Sequence, residues 1–285
     1  MEPIVNLNGK FLNASEAKIS IADNGFLFGY GAFGATRIYN GTVFRLESHL
    51  SRLQKSTARL GITVKALELH TLVLETIRAN NLEDGLIRIT ISAGKGSLVP
   101  DLRSCASPTI LITALPYNPP TPDMYEKGFK AVVSTIRRHS GAPISEMKTL
   151  NYIESMLARQ EARMADYDDA LLLNEKGYLS ESSSGNVFIV KDKVLKTPPE
   201  NSGFISGVVR EVVLQIASEL DVKSIETNIR LNDLFKADEA FLTNSVIEIM
   251  PLVSVTDRAI GLGKPGFITR KILEAFRDKV KRECT

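Results

Sequence analysis

Cysteine is nearly absent: Cys105 and Cys284 are the only two in 285 residues. Two thiols cannot build a disulfide framework and suit a reducing compartment, so a cytoplasmic protein is expected. A dominant charge is missing as well. Lys and Arg number 35 against 33 Asp and Glu, and no basic block occurs, so nothing argues for a nucleic-acid partner. No hydrophobic run is long enough to span a bilayer, and Met1 to Lys10 lacks the apolar stretch of a secretion signal. Internal repeats, low-complexity tracts and a metal-ligand cluster are also missing, so neither a repeat architecture nor a metal site is expected. The remainder, 44% hydrophobic and 24% charged, is the composition of an ordinary soluble globular protein.

What is present reads as alternating strands and helices. Asn8-Gly9 and Asn40-Gly41 are hairpin signals, which predict a strand pair within Pro3 to Leu12 and strands at Phe33 to Tyr39 and Thr42 to Arg45. Leu46, Leu50, Leu53, Thr57 and Leu60 recur at helical spacing up to Gly61, and a second helix is predicted over Leu67 to Asn80. From Leu86 to Ser92, Ile87, Ile89 and Ile91 alternate with Arg88, Thr90 and Ser92, a strand with one apolar face; Pro108 to Ala114 is another. Leu115 to Pro122 holds four prolines in eight residues, which favours an extended linker. The predicted division is therefore an N-terminal α/β domain over 1–115, a linker over 116–123 and a C-terminal domain over 124–285. In the latter, strands are predicted at Lys130 to Thr135, Asp169 to Asn174, Asn186 to Lys191 and Ala240 to Thr243. A helix follows Tyr152. Another, opened by Ser206, carries the apolar stripe Val209, Val212, Val213, Ile216 and Leu220, and a last one contains Ile268, Ile272, Leu273 and Phe276. The fold class is mixed α/β or α+β in two parts.

Two residues stand in unusual local patterns. Lys148 is flanked by Met147, Leu150 and Tyr152, and partial burial would lower its pKa and make the amine nucleophilic. Glu181 lies between Ser180 and Ser182 to Ser184, ahead of Gly185-Asn186 and an apolar strand; the serines could fix the glutamate or bind phosphate. An imine-forming lysine and a carboxylate that keeps a ring nitrogen protonated are the two requirements of pyridoxal phosphate chemistry. Arg52, with His49 and Lys55 near it, lies on the helix face opposite Leu50 and Leu53 and could grip a phosphate with its planar fork. Gly207, just where a helix begins, would let the backbone approach an anion through the free N–H groups there. Thr243-Asn244-Ser245 could add a hydroxyl and amides to the same anion. Taken singly, each has a plain structural reading: a surface lysine, a solvated loop, a surface arginine, a Ser206 N-cap and an Asx turn.

Taken together, in this order and over almost the whole length, these segments resemble the class IV (fold type IV) pyridoxal-phosphate aminotransferases. That group holds branched-chain aminotransferases, D-amino acid transaminases and aminodeoxychorismate lyases. His49 to Leu53 resembles the phosphate-arginine helix, and Lys148 to Tyr152 the lysine segment, with Tyr152 against the cofactor's ring oxygen. Ser180 to Phe188 resembles the segment that supplies the ring-nitrogen carboxylate. Gly207-Val208-Val209-Arg210 resembles the phosphate cup, and Phe241 to Ser245 the second phosphate and substrate-carboxylate turn. The resemblance implies a small N-terminal and a larger C-terminal domain with pyridoxal 5′-phosphate between them, and a homodimer or higher homo-oligomer. It implies ping-pong transfer between an amino acid and a 2-oxo acid with Lys148 as catalytic base, and substrate contacts from Phe28, Phe33, Arg88 and Val246.

Departures bear on the substrate. Phe33, Ala35 and Arg37 partly follow the branched-chain Phe-x-Gly-x-Arg pattern, with Ala35 for the glycine; Leu86-Ile87-Arg88 stands for Tyr-x-Arg. Gly34 stands where most relatives carry glutamate, and Phe28 where branched-chain enzymes tend to have tyrosine. Lys148 to Asn151 is one residue shorter than the usual branched-chain spacing and looks more like the D-amino acid and lyase branches. The Arg-x-His carboxylate trap of D-amino acid transaminases is missing from Ser97 to Ser104, which offers only Arg103. Ala93-Gly94-Lys95-Gly96 replaces the Arg-Gly-Tyr run of the lyases. Arg137, Arg138 and His139 could bind a carboxylate or face solvent, and solvent is the expectation. The leading expectation is a branched-chain-type enzyme acting on L-amino acids with 2-oxoglutarate. The alternatives are a D-amino acid transaminase, a lyase, or a non-catalytic pyridoxal phosphate-binding protein, which would lack Lys148 or Glu181.

Overall fold

The alternation of Ile87, Ile89 and Ile91 with polar residues becomes strand β5 (Gly85–Ser92), whose three isoleucines are buried while Arg88 is exposed. Around it form β1 (Ile4–Leu7), β2 (Lys10–Asn13), β3 (Gly31–Tyr39), β4 (Thr42–Val43) and β6 (Thr109–Leu115), in the order β2-β1-β6-β5-β3-β4. The structure is a computed structural model that describes residues 2–284; Met1 and Thr285, the outer ends of the two expected domains, lie outside the described residues. The hairpin turns at Asn8-Gly9 and Asn40-Gly41 both have positive φ at each residue, as two-residue turns between twisted strands require. A short helix α1 (Asn24–Phe28) precedes β3, and α2 (Leu46–Arg59) and α3 (Ala66–Ala79) contribute Leu46, Leu50, Leu53, Leu69, Val73 and Ile77 to the isoleucine core.

The chain clusters into two units. The first contains Met1–Asn118, Met147–Asn151 and Val280–Thr285; the second contains Pro119–Glu146 and Tyr152–Lys279. The segment around Lys148 thus groups with the first sheet, where the sequence placed it in the C-terminal domain. The cause is backbone pairing: Phe33 N–H donates to the Lys148 carbonyl, Leu150 N–H donates to the Gly31 carbonyl (both 2.9 Å), and Ala32 bridges Thr149. Hydrogen bonds of this kind are set by register and cannot be read from composition.

The second unit opens with α4 (Pro122–Lys127), so Pro122 sits in a first helical turn, where its missing N–H costs nothing. Then come β7 (Phe129–Arg138), α5 (Ile153–Met164), β8 (Asp169–Asn174), β9 (Leu179–Ser182), β10 (Asn186–Lys191) and β11 (Val194–Thr197). They are followed by α6 (Val208–Glu219), β12 (Ser224–Glu226), α7 (Leu231–Phe235), β13 (Glu239–Asn244), β14 (Glu248–Val255), β15 (Arg258–Ala259) and α8 (Phe267–Glu283). The sheet runs β12-β11-β10-β13-β14-β7-β8-β9, with β15 beside β14. Three features depart from expectation. β7 continues to Arg138, three residues beyond the predicted end. β9 is a strand of serine and glutamate, buried along its whole length. β14 occupies the middle of the sheet although it contains Pro251, and its register shifts just after, between Leu252 and Ser254. Among the described residues, no helix is long and apolar enough to cross a membrane.

Candidate active site

In the first unit, Phe33 and Lys148 are paired across strands and project to one face, so the amine rests over an aromatic ring. Lys148 Nζ lies 4.6 Å from the Phe33 ring centroid, and Arg88 Cζ lies 3.9 Å from the same centroid. Arg88 sits opposite Ala35 in the β3–β5 register and donates from Nε to Thr90 Oγ1 at 3.1 Å. A backbone N–H anchors the lysine further: Lys148 N donates to Ser56 Oγ at 3.3 Å. Arg52 is on α2, with Nη2 at 3.5 Å from His49 Nδ1, while His49 Nε2 lies 3.3 Å from Thr36 Oγ1. Burial, and then the charges of Arg52 and Lys148, push the His49 pKa down to about 3. The imidazole is therefore neutral at physiological pH, beside the Arg52 and Lys148 side chains. Phe28 ends α1 half-buried, and the next carbonyl, Gly29, accepts from Asn151 Nδ2 at 2.8 Å. A side chain at Gly34 would meet nothing within 4 Å, so the space a larger residue would fill is open. Arg103 is an exposed residue ion-paired with Asp101 at 3.0 Å.

In the second unit, Glu181 is buried in β9. Arg138 Nη2 lies 2.8 Å from its Oε1, and the same guanidinium donates to Glu154 Oε2 (2.6 Å) and Ser155 Oγ (2.8 Å). Arg138, expected to face solvent, is thus a buried ion-pair partner; Arg137 and His139 are exposed. The longer β7 is the reason, because it carries Arg138 beside β8 in register with Asn174. Tyr152 precedes α5. Burial, and next the negative charge of Glu181, raise its phenol pKa, so it stays protonated and able to donate. The serine run does not serve Glu181. Ser182, Ser183 and Ser184 all donate their hydroxyls to the buried carboxylate of Asp169, with Ser182 at 3.0 Å and Ser184 at 2.7 Å.

Helix α6 starts at Val208 with Gly207 as its N-cap residue and no side-chain cap; Ser206 is exposed outside the helix. Val208 and Val209 are buried in its first turn. A Cβ at Gly207 would fall 2.2 Å from Asn186 Oδ1, so a larger residue would displace the Asn186 side chain, which donates to the Ile205 carbonyl at 3.0 Å. Thr243 is buried, and its Oγ1 has no hydrogen-bond partner among the described residues. Asn244 is spent on structure: Nδ2 donates to the Ser184 carbonyl (3.0 Å), and Oδ1 accepts from Val246 and Ile247 N–H (both 2.8 Å). Ser245 and Val246 are half-buried in the turn this builds.

Sequence reasoning passed over Asp169 and favoured solvent for Arg138. For Asp169 a signal was present: a carboxylate that leads the apolar run Ala170 to Leu173 must find donors when buried, and the serine run is the nearest dense supply.

Residues 31–255 match the family Amino-transferase class IV. The chain belongs to this family. A Methanocaldococcus jannaschii protein provisionally named a branched-chain-amino-acid aminotransferase is 40% identical over 280 residues, covering 96% of this chain and 95% of its own. The D-alanine aminotransferase of Bacillus licheniformis is 29% identical over 281 residues, covering 98% of both. The branched-chain aminotransferase of Thermoproteus uzoniensis, solved with norvaline, superimposes with a TM-score of 0.92 at 33% identity, covering 99% of this chain and 96% of that one. Class IV aminotransferases depend on pyridoxal 5′-phosphate, and the residues present here fit it. The first unit offers a cationic pair beside a neutral histidine. The second offers the unpartnered Thr243 hydroxyl, an uncapped helix start at Gly207 and an ion-paired carboxylate at Glu181.

Two outcomes follow for this aminotransferase. Arg138→Met strands a buried carboxylate and lowers unfolding free energy by roughly 3 kcal/mol in urea titration; a Glu181→Gln change added to it recovers part of the loss, and no recovery would show that the two charges are not coupled. In the cofactor-free protein, the unfolded chain protonates His49 near 6.5 while the folded one does not until about 3. Stability therefore falls as pH drops from about 6.5 toward 3, and His49→Gln flattens that slope. Equal slopes in both proteins would remove His49 from this role.

Proposed function

We propose that this enzyme transfers the amino group of branched-chain L-amino acids to 2-oxoglutarate by a ping-pong mechanism. The observation that carries the reading is the Phe33 ring, which has the Lys148 amine and the Arg88 guanidinium against it. An apolar wall beside the reacting amine suits an aliphatic side chain, and a neighbouring guanidinium suits a carboxylate. The 40% identity to a relative named for branched-chain substrates supports the same substrate class.

The roles follow from the chemistry of each group. When bound, pyridoxal phosphate supplies a cationic ring that accepts the electron pair released at the substrate's α-carbon. Lys148 would hold the cofactor until the incoming amino group displaces it; its freed amine would then take the proton from the substrate's α-carbon and deliver it to the cofactor carbon that Lys148 had left. Glu181, held ionised by Arg138, keeps a proton on the ring nitrogen. Tyr152 donates its phenolic proton to the ring oxygen. Arg52, the backbone of Gly207, Val208 and Val209, and Thr243 with Ser245 hold the phosphate, while Asn244 shapes the turn. Phe28, Phe33, Arg88 and Val246 bind substrate.

We also assign the enzyme to the cytoplasm, which its two free thiols suit, and to a homodimer. Ile21 and Phe26, 82% and 76% exposed on one segment of the first unit, support a covered surface in the working assembly.

Incubation with 2-oxoglutarate and separate panels of L- and D-amino acids tests the assignment. L-glutamate should form from leucine, isoleucine and valine; D-glutamate would replace the reading with a D-amino acid transaminase, and pyruvate from aminodeoxychorismate would select a lyase. Lys148→Ala should remain folded and lose turnover by at least about a thousandfold, and retained turnover would take Lys148 out of its role.

A further inference from the structure

Eleven described residues other than glycine have positive φ, and Glu248 alone among them is buried. Most of the others are Asn and Asp in exposed turns, where a short polar side chain tolerates the left-handed region. Glutamate has no such help, and at φ 57° it costs roughly 1 kcal/mol against glycine. Glycine would relieve the backbone and remove a buried charge as well, so the glutamate side chain must supply something that glycine cannot.

What it supplies is an anchor. Arg277 Nε, on α8, donates to Glu248 Oε2 at 2.9 Å, and Tyr125 Oη, on α4, lies 3.4 Å from the same oxygen and 3.3 Å from the Ile247 carbonyl. The guanidinium stacks on the Tyr125 ring at 4.3 Å, so the donors hold one another in place. Glu248 is the first residue of β14 and pairs with Asn244 of β13; between them lie Ser245, Val246 and Ile247. Asn244 fastens one end of that turn to Ser184. The left-handed kink at Glu248, fixed by Arg277 and Tyr125, fastens the other.

We infer that Glu248 is a positioning residue: clamped by Arg277 and Tyr125, it holds the Thr243–Ile247 turn in the shape that serves phosphate and substrate. This rests on the assignment of that turn to phosphate and substrate given above. Kept strain of this kind marks a backbone whose shape is over-determined by its surroundings.

The test compares Glu248→Gly, Arg277→Met and Arg277→Lys as holoenzymes at saturating cofactor. Glu248→Gly keeps the left-handed backbone and loses the anchor, so a folded variant is expected. Both it and Arg277→Met should raise KM for amino acid and 2-oxo acid about tenfold, while kcat changes less than about threefold. Arg277→Lys should restore most of the affinity. An unchanged KM in Glu248→Gly overturns the inference, as does a fall in kcat that tracks a lost thermal midpoint in all three variants. Thr243→Val separates the two levels. If it leaves the cofactor dissociation constant unchanged, the turn's assignment fails and takes the inference with it. If it weakens cofactor binding while Glu248→Gly is silent, only the role of Glu248 is lost.

Discussion

Arg138 and Glu181 form the contact on which the cofactor-facing part of the second unit depends. The two residues belong to β7 and β9, the strands on either side of β8, so their ion pair spans the intervening strand. Two charges removed from water are expensive, and their attraction offsets that cost only when the remaining hydrogen-bonding capacity is used. Here Glu154 and Ser155 take further guanidinium donors, and the Ile205 N–H lies 3.4 Å from Glu181 Oε2. A pair of apolar residues would pack there with comparable stability. It would not leave a carboxylate inside the protein, which is what the role proposed for Glu181 would require. β9 keeps its register because slipping by one residue would turn Glu181 to the wrong face.

Electrostatics divides labour between the units. The first gathers Lys148, Arg52 and a histidine that its neighbours keep neutral, a combination suited to an anionic group and to a nucleophilic amine. The second places buried carboxylates with different duties on the neighbouring strands β8 and β9. Glu181 is paired with a guanidinium, whereas Asp169 is satisfied by three serine hydroxyls and the Ala170 N–H. Asp169 thereby shapes the Ser182–Gly185 turn, and Ser184 passes that order on to Asn244. The same negative charge also acts on Tyr152, helping to keep its proton in place. One run of serines thus links a structural carboxylate to the turn that carries Thr243.

Periodic segments were legible in the sequence because burial writes itself as spacing. The isoleucines of β5, the leucines of α2 and the valines of α6 all fell where the pattern placed them. β9 was not legible as a strand: its polar side chains are buried on hydrogen bonds and an ion pair, and those leave no apolar signature. β14 was hidden by Pro251, which lacks the N–H that an interior strand normally uses. Single residues showed the same limit. Lys148 and Glu181 stood out through their neighbours, but Arg138 did not, because its partner lies 43 positions further along (181 − 138) and only the sheet brings them together. Ser206 was a reasonable cap by residue type, yet Asn186 crowds Gly207 and the helix starts there without one.

The departures from the branched-chain pattern are not scattered. Phe28, Gly34, Ala35 and Leu86, which the sequence reading set apart, all lie on α1, β3 and β5 of the first unit, whereas Glu181, Gly207 and Thr243 lie in the second. This division has a chemical basis. On the proposed assignment, the Glu181, Gly207 and Thr243 segments would answer to the cofactor, which every branch shares, and the face that carries Phe33 and Arg88 to the substrate. Ala35 adds a methyl directly across from Arg88 in the strand register, which narrows the surface beside Phe33. Gly34, on the alternate face with Thr36, leaves open the space that a Cβ would occupy.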